Sequence, residues 1–120
     1  MTQKKDLAGY QRAWLRKSAH HLKPVVNIGH GGVSDAVEKT VAEALTHHEL
    51  IKVKFYELKD ERRSACEHLA KVCSAHLIGI IGNVAIFYRE AIKSEDRKYH
   101  IPVKKLTASG SVVDMDANDE

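Results

Sequence analysis

No acidic residue occurs between Leu7 and Val33, a stretch that carries Arg12, Arg16, Lys17 and Lys23. An ordinary solvated surface mixes both signs, so a one-signed stretch points to a polyanionic partner. Cysteine is scarce: the only two, Cys66 and Cys73, exclude a disulfide scaffold. They lie in one helical pattern, roughly 10 Å apart along its axis at 1.5 Å per residue, and cannot pair without unwinding it, so buried reduced thiols are expected. Long apolar runs are missing too. The richest, Leu77 to Tyr88, is too short to span a bilayer and is broken by Gly82-Asn83, and Met1 to Asp6 has no apolar stretch of the kind a secretory signal needs. A cytoplasmic protein without a membrane partner is the expectation. There is no His-x-x-x-His and no Cys-x-x-Cys, and the pairs His20-His21 and His47-His48 would diverge by about 100° on a helix, so no metal or other cofactor is expected. Ser34 and Ser64 lack a nucleophile-elbow context, and no carboxylate pair is isolated in apolar surroundings, so no enzyme and no small-molecule substrate are expected.

What is present fits one domain. The chain has 120 residues, 43% of them hydrophobic, enough for a single packed core. All 19 basic residues precede Gly110, while four of the 16 acids (Asp114, Asp116, Asp119 and Glu120) follow it. A basic globule, residues 1–106, is therefore expected to precede an acidic, disordered tail, residues 107–120.

Periodicity supplies the elements. Ala8 to Leu22 has Leu15, Ala19 and Leu22 on one face and predicts a helix that Pro24 stops. Val25 to Ile28 predicts a short strand. Ser34 is a good N-cap for a second helix, with Asp35 in its first turn and Val37, Val41, Ala44 and Leu45 as its core stripe, ending near His48. Ile51 to Tyr56 alternates strictly, with Lys52, Lys54 and Tyr56 facing away from the core. Asp60 to Cys73 predicts a third helix. Leu77–Ile81 and Val84–Tyr88 predict a hairpin, with Gly82-Asn83 suiting a type II′ turn. The order α-β-α-β-α-β-β, with two strand–helix–strand crossovers and a hairpin, predicts a mixed four-stranded α/β sheet in one compact, monomeric domain. Residues 91–106 give no clear pattern.

Two features carry candidate chemistry. Gly29-His30-Gly31-Gly32 leaves a strand and opens a helix, where glycines permit close backbone approach and the free N–H groups of a helix start favour a phosphate. The loop is equally compatible with a tight turn and no ligand. It fits neither a P-loop, because Val33-Ser34 replaces the Lys-Ser/Thr pair, nor a dinucleotide fingerprint, because Ser34 occupies the sixth position. The second feature is the basic helix. Arg12, Arg16 and Lys23 fall within roughly 40° on a helical wheel if the helix reaches that far, and Lys17 points elsewhere. Tyr10 and Trp14 lie off its apolar face, and packing against a neighbouring segment is expected of them ahead of base stacking.

The stretch from Gln11-Arg12 through Leu15-Arg16 and Ala19-His20-His21-Leu22-Lys23-Pro24-Val25-Val26-Asn27-Ile28 to Gly29-His30-Gly31-Gly32 resembles the opening of YhbY-like proteins, whose module recurs as the CRM domain. His48-Glu49-Leu50-Ile51-Lys52-Val53-Lys54, Ile80-Ile81-Gly82-Asn83 and Phe87-Tyr88-Arg89 continue the resemblance, which covers about residues 7–90. It implies a fold similar to the C-terminal domain of translation initiation factor three and RNA binding through a GxxG loop, as in KH domains. It also implies ribosomal RNA of the large-subunit precursor as partner, and no catalysis. On that resemblance Gly29, His30, Gly31 and Gly32 form the RNA-contacting loop, and Arg12, Arg16, Lys17 and Lys23 the adjoining basic surface. Relatives usually carry lysine where this chain has His30, so the loop is expected to bind more weakly or with pH dependence. A protein-interaction module docking on a ribosomal protein, and a small nucleotide-binding protein, are the competing readings.

Overall fold

A computed structural model describes residues 6–106 and 112–115. In chain order the elements are α1 (Gly9–Ser18), β1 (Val26–Ile28), α2 (Asp35–His48), β2 (Leu50–Phe55), α3 (Arg62–Val72), β3 (His76–Ile81), β4 (Val84–Tyr88), a 3-10 turn (Ser94–Asp96), β5 (Val103–Leu106) and β6 (Val112–Met115). The Ser34 hydroxyl accepts from the Val37 N–H at 3.3 Å and so caps α2 as its sequence predicts. Gly82 takes φ 62° between Ile81 and its partner Val84, the tight turn that joins β3 to β4.

The four-stranded sheet has the order β1-β2-β4-β3. β1 pairs parallel with β2, and β4 pairs antiparallel with β2 on one side and β3 on the other. The mixed sheet is as expected, but only the first crossover joins adjacent strands: β4 inserts between β2 and β3. Ala85 and Phe87 are buried on one face of β4 and Ile86 and Tyr88 on the other, a pattern suited to a central position.

Two apolar layers result. Val41 and Leu45 of α2 and Cys66 and Leu69 of α3 pack on Ile51, Val53 and Phe55 of β2 and Phe87 of β4. On the opposite face Leu15 and Ala19 pack on Leu50, Ile78, Ile86 and Tyr88. Cys66 and Cys73 are buried and unpaired, and burial pushes the Cys66 thiol up to about 11.

The first helix is shorter than its sequence predicts. It ends at Ser18, and the Leu22 N–H donates to Ala19 O in a turn that delivers Val25 to β2, where its N–H donates to Lys52 O at 3.0 Å. Strand pairing thus overrides local helical pattern, and Lys23 does not lie on the helix.

Residues 91–106, unassigned from pattern, are tied down by Glu49. This residue is 1% exposed and holds φ 64°. Its carboxylate accepts from the backbone N–H groups of Ala91 (2.5 Å), Lys98 (2.6 Å) and Tyr99 (3.2 Å). Tyr99 then meets Trp14 edge to face with ring centroids 6.5 Å apart, so Trp14 packs against a neighbouring segment as expected. Burial, with Glu49 adding to it, raises the phenols of Tyr88 and Tyr99 and keeps both neutral. Of the tail, residues 107–111 and 116–120 lie outside the described residues, so its expected disorder falls largely there; Val112–Met115 pair antiparallel with β5, where composition indicated no element.

Replacing Glu49 with Ala orphans three N–H groups around a buried site and leaves backbone strain in place. Charge-assisted bonds and unsatisfied donors at this scale predict a loss of about 3 kcal/mol or more, read as a lower urea midpoint. A loss under about 0.5 kcal/mol would mean that the carboxylate is not the anchor.

Candidate nucleic-acid interface

Gly29 to Gly32 forms an exposed turn at the end of β1, closed by the Gly32 N–H donating to Gly29 O at 3.0 Å. A Cβ on Gly29 or Gly31 would meet nothing within 4 Å, so backbone there is open to close approach. Gly32 differs: it holds φ 69° and its requirement for glycine is conformational. The start of α2 is partly used already, since Ser34 takes the Val37 N–H and Asp35 sets an exposed acid in the first turn. His30 is almost fully solvated, and its Nδ1 lies 3.6 Å from Glu57 Oε1. An acid from just beyond the end of β2 therefore stands beside the loop.

The basic residues divide. Arg12 is drawn into the domain: its guanidinium donates to Leu77 O and Ile78 O, where the β3–β4 register shifts between Leu77 and Gly79. A bulge frees carbonyls from the ladder, and Arg12 satisfies them. Arg16 runs alongside, its Cδ 3.5 Å from where a Gly79 Cβ would sit. Arg16, Lys17 and Lys23 are exposed and make no ion pair or hydrogen bond among the described residues. The structure therefore leaves Arg16 and Lys17 exposed at the end of α1 and Lys23 exposed in the segment that leads to β1, and removes Arg12 from the free surface.

Three charged residues to which the sequence assigns no role turn out to be structural clasps. Arg89 donates to Cys73 O and Ala42 O, both at 3.0 Å, and to Thr46 Oγ1 at 2.7 Å, tying the ends of α3 and α2 together. Arg62 donates to Gly82 O at 2.8 Å and lies over the Phe55 ring. Glu49 is the third. For Glu49 and Arg89 the signal is a charged residue beside an apolar strand run; Arg62, inside Asp60-Glu61-Arg62-Arg63, carries no such signal.

Lys23 and the glycine turn flank the same short strand, β1, which spans roughly 10 Å at about 3.3 Å per residue. Asn27 of β1 pairs in register with Lys54 of β2, so both point to the face of the sheet that α1 covers only in part. Lys52 on that face donates to His20 O at 3.1 Å. The exposed acids on this side of the turn are Glu57, beside His30, and Asp35, at the start of α2.

This chain belongs to the CRS1/YhbY (CRM) domain family, whose model matches residues 7–89. It is similar to the probable RNA-binding protein YqeI of Bacillus subtilis, at 37% identity over 80% of this chain and 99% of that one. It is also 33% identical to a probable RNA-binding protein of Methanocaldococcus jannaschii, over 94% of this chain and 86% of the relative. The solution structure of a hypothetical protein from Staphylococcus aureus, offered there as a candidate RNA-binding protein, superposes with a TM-score of 0.67 at 30% identity, covering 78% of this chain and 98% of the other.

The loop geometry separates two glycines. Gly31→Ala should leave the thermal midpoint unchanged, because its Cβ enters open space. Gly32→Ala should cost about 1–2 kcal/mol, since an L-residue is strained at positive φ. Equal melting curves for the two variants would contradict the assigned backbone.

Proposed function

We propose that this protein binds RNA without catalysing a reaction, and that it acts in the cytoplasm as a monomer on ribosomal RNA of the large-subunit precursor. The glycine turn Gly29–Gly32 brings bare backbone to the phosphate chain, and Arg16, Lys17 and Lys23 supply charge along the adjoining edge. The observation that carries the reading is a chain of the CRM domain family that combines an open glycine turn with three exposed cations, Arg16, Lys17 and Lys23, that have no acidic partner among the described residues. Phosphate neutralisation releases counterions, so affinity built this way falls steeply with salt. Crosslinking in cells followed by RNA sequencing tests the partner: large-subunit precursor reads are expected, and enrichment of other RNA classes alone would overturn that assignment.

Arg16→Ala, Lys17→Ala and Lys23→Ala should each weaken RNA binding and reduce the slope of log affinity against log salt by about 0.7–0.9 per lost phosphate contact. Arg12→Ala should act chiefly on stability, since its donors hold β3. Wild-type slopes in all three surface variants would remove them from the interface. A surface that docks a ribosomal protein would respond to salt much less, so the same titration distinguishes that reading.

Glu57 opposes a phosphate at His30. Glu57→Gln should tighten RNA binding, most at low salt where the repulsion is least screened. His30→Lys should bind more tightly than wild type, because lysine sets a fixed positive charge beside the phosphate. Identical affinities for wild type, His30→Lys and Glu57→Gln would place the phosphate path away from this side of the turn.

A further inference from the structure

We infer that the half of the sheet face left open by α1 is a platform for unpaired nucleotides, with Tyr56 as the stacking surface and Lys52 and Lys54 as the phosphate contacts. This rests on the RNA-binding reading above and specifies which kind of RNA it takes.

The strand register lays out the platform. Asn27 of β1 lies beside Lys54 of β2, Lys54 beside Val84 of β4, and Val84 beside Ile81 of β3. Directly paired residues share a face, so these four form one row across the sheet. The next row toward α1 brings Lys52 beside Ile86. A cavity of about 290 Å3 opens there, lined by His20, Pro24, Lys52, Ile81, Val84 and Ile86. None of its lining residues is acidic.

Tyr56 closes the row toward the glycine turn. It follows Lys54 by two positions and so shares its side of the strand, and its N–H donates to Ile28 O at 2.8 Å, one residue before Gly29. The ring is held and yet open: Lys54 Nζ sits 5.0 Å from its centroid, while the residue remains 58% exposed. Ile81 is 64% exposed although it lies on a strand. Exposed aromatic and branched apolar side chains interleaved with lysines match a strand of splayed bases, whose faces stack and whose backbone is anionic. A double helix hides its base faces and is read by phosphates and 2′-hydroxyls, so it has no use for such a platform.

Fluorescence anisotropy with a labelled, unstructured single-stranded RNA, and with the same sequence as a duplex, tests this. Wild type should prefer the single strand. Tyr56→Ala should lose roughly tenfold in single-strand affinity, within the range of one stacked base, while its duplex binding stays unchanged. Tyr56→Phe, which keeps the ring, should restore it. Because the side chain is exposed, both variants should fold, and circular dichroism checks this. Wild-type single-strand affinity in Tyr56→Ala, with Arg16→Ala still impaired, would overturn the platform and spare the RNA-binding reading. Failure of the wild-type protein to bind either RNA would overturn both.

Discussion

β4 buries Ala85 and Phe87 on one face and Ile86 and Tyr88 on the other, so the sheet has to be covered twice. On one side α2 and α3 do this together. On the other the one helix among the described residues is α1, ten residues long, supplemented by Leu22, Tyr99 and Ile101. At 1.5 Å per residue it extends about 15 Å, less than the roughly 20 Å of a six-residue strand such as β2. The uncovered remainder is where β2 changes character on that face, from buried Leu50 to Lys52 and Lys54. Incomplete coverage of a doubly apolar strand is what gives the domain a charged, open surface next to its glycine turn.

The opposite lesson applies to several charges that look available and are not. Arg12, Arg62 and Arg89 each spend donors on backbone carbonyls at bulges, turns and helix ends, and Arg97 donates to Ala91 O. Glu49 does the converse, supplying acceptors to Ala91, Lys98 and Tyr99, which lie outside any strand. These contacts answer the requirement that buried backbone groups find partners. They also mean that the density of basic residues overstates the cations left for a ligand.

Strict alternation made the orientation of Ile51, Val53 and Phe55 legible before any coordinates, and the cap at Ser34 and the turn at Gly82-Asn83 were equally plain, because each depends on residues close in sequence. The glycine turn was legible as a turn. What local pattern could not supply was set by distant partners. The end of α1 depends on where Val25 must meet Lys52. The insertion of β4 between β2 and β3 depends on both faces being covered. Arg12 was indistinguishable from Arg16 on a helical wheel until the bulge at Leu77–Gly79 gave it a role. Glu57, 53% exposed on its side chain, comes beside His30 only through the β1–β2 pairing.

The central claim is that ligand RNA lies on the α1 side of the sheet, along the path from the glycine turn to Lys23. Titrating the isotopically labelled protein with single-stranded RNA and following backbone amide chemical shifts tests it most directly. The shifts should concentrate at Gly29–Gly32, Arg16–Lys23 and Lys52–Tyr56. Shifts concentrated instead on the outer faces of α2 and α3, at Lys39, Arg63 and Lys71, with the turn and β2 unmoved, would contradict it.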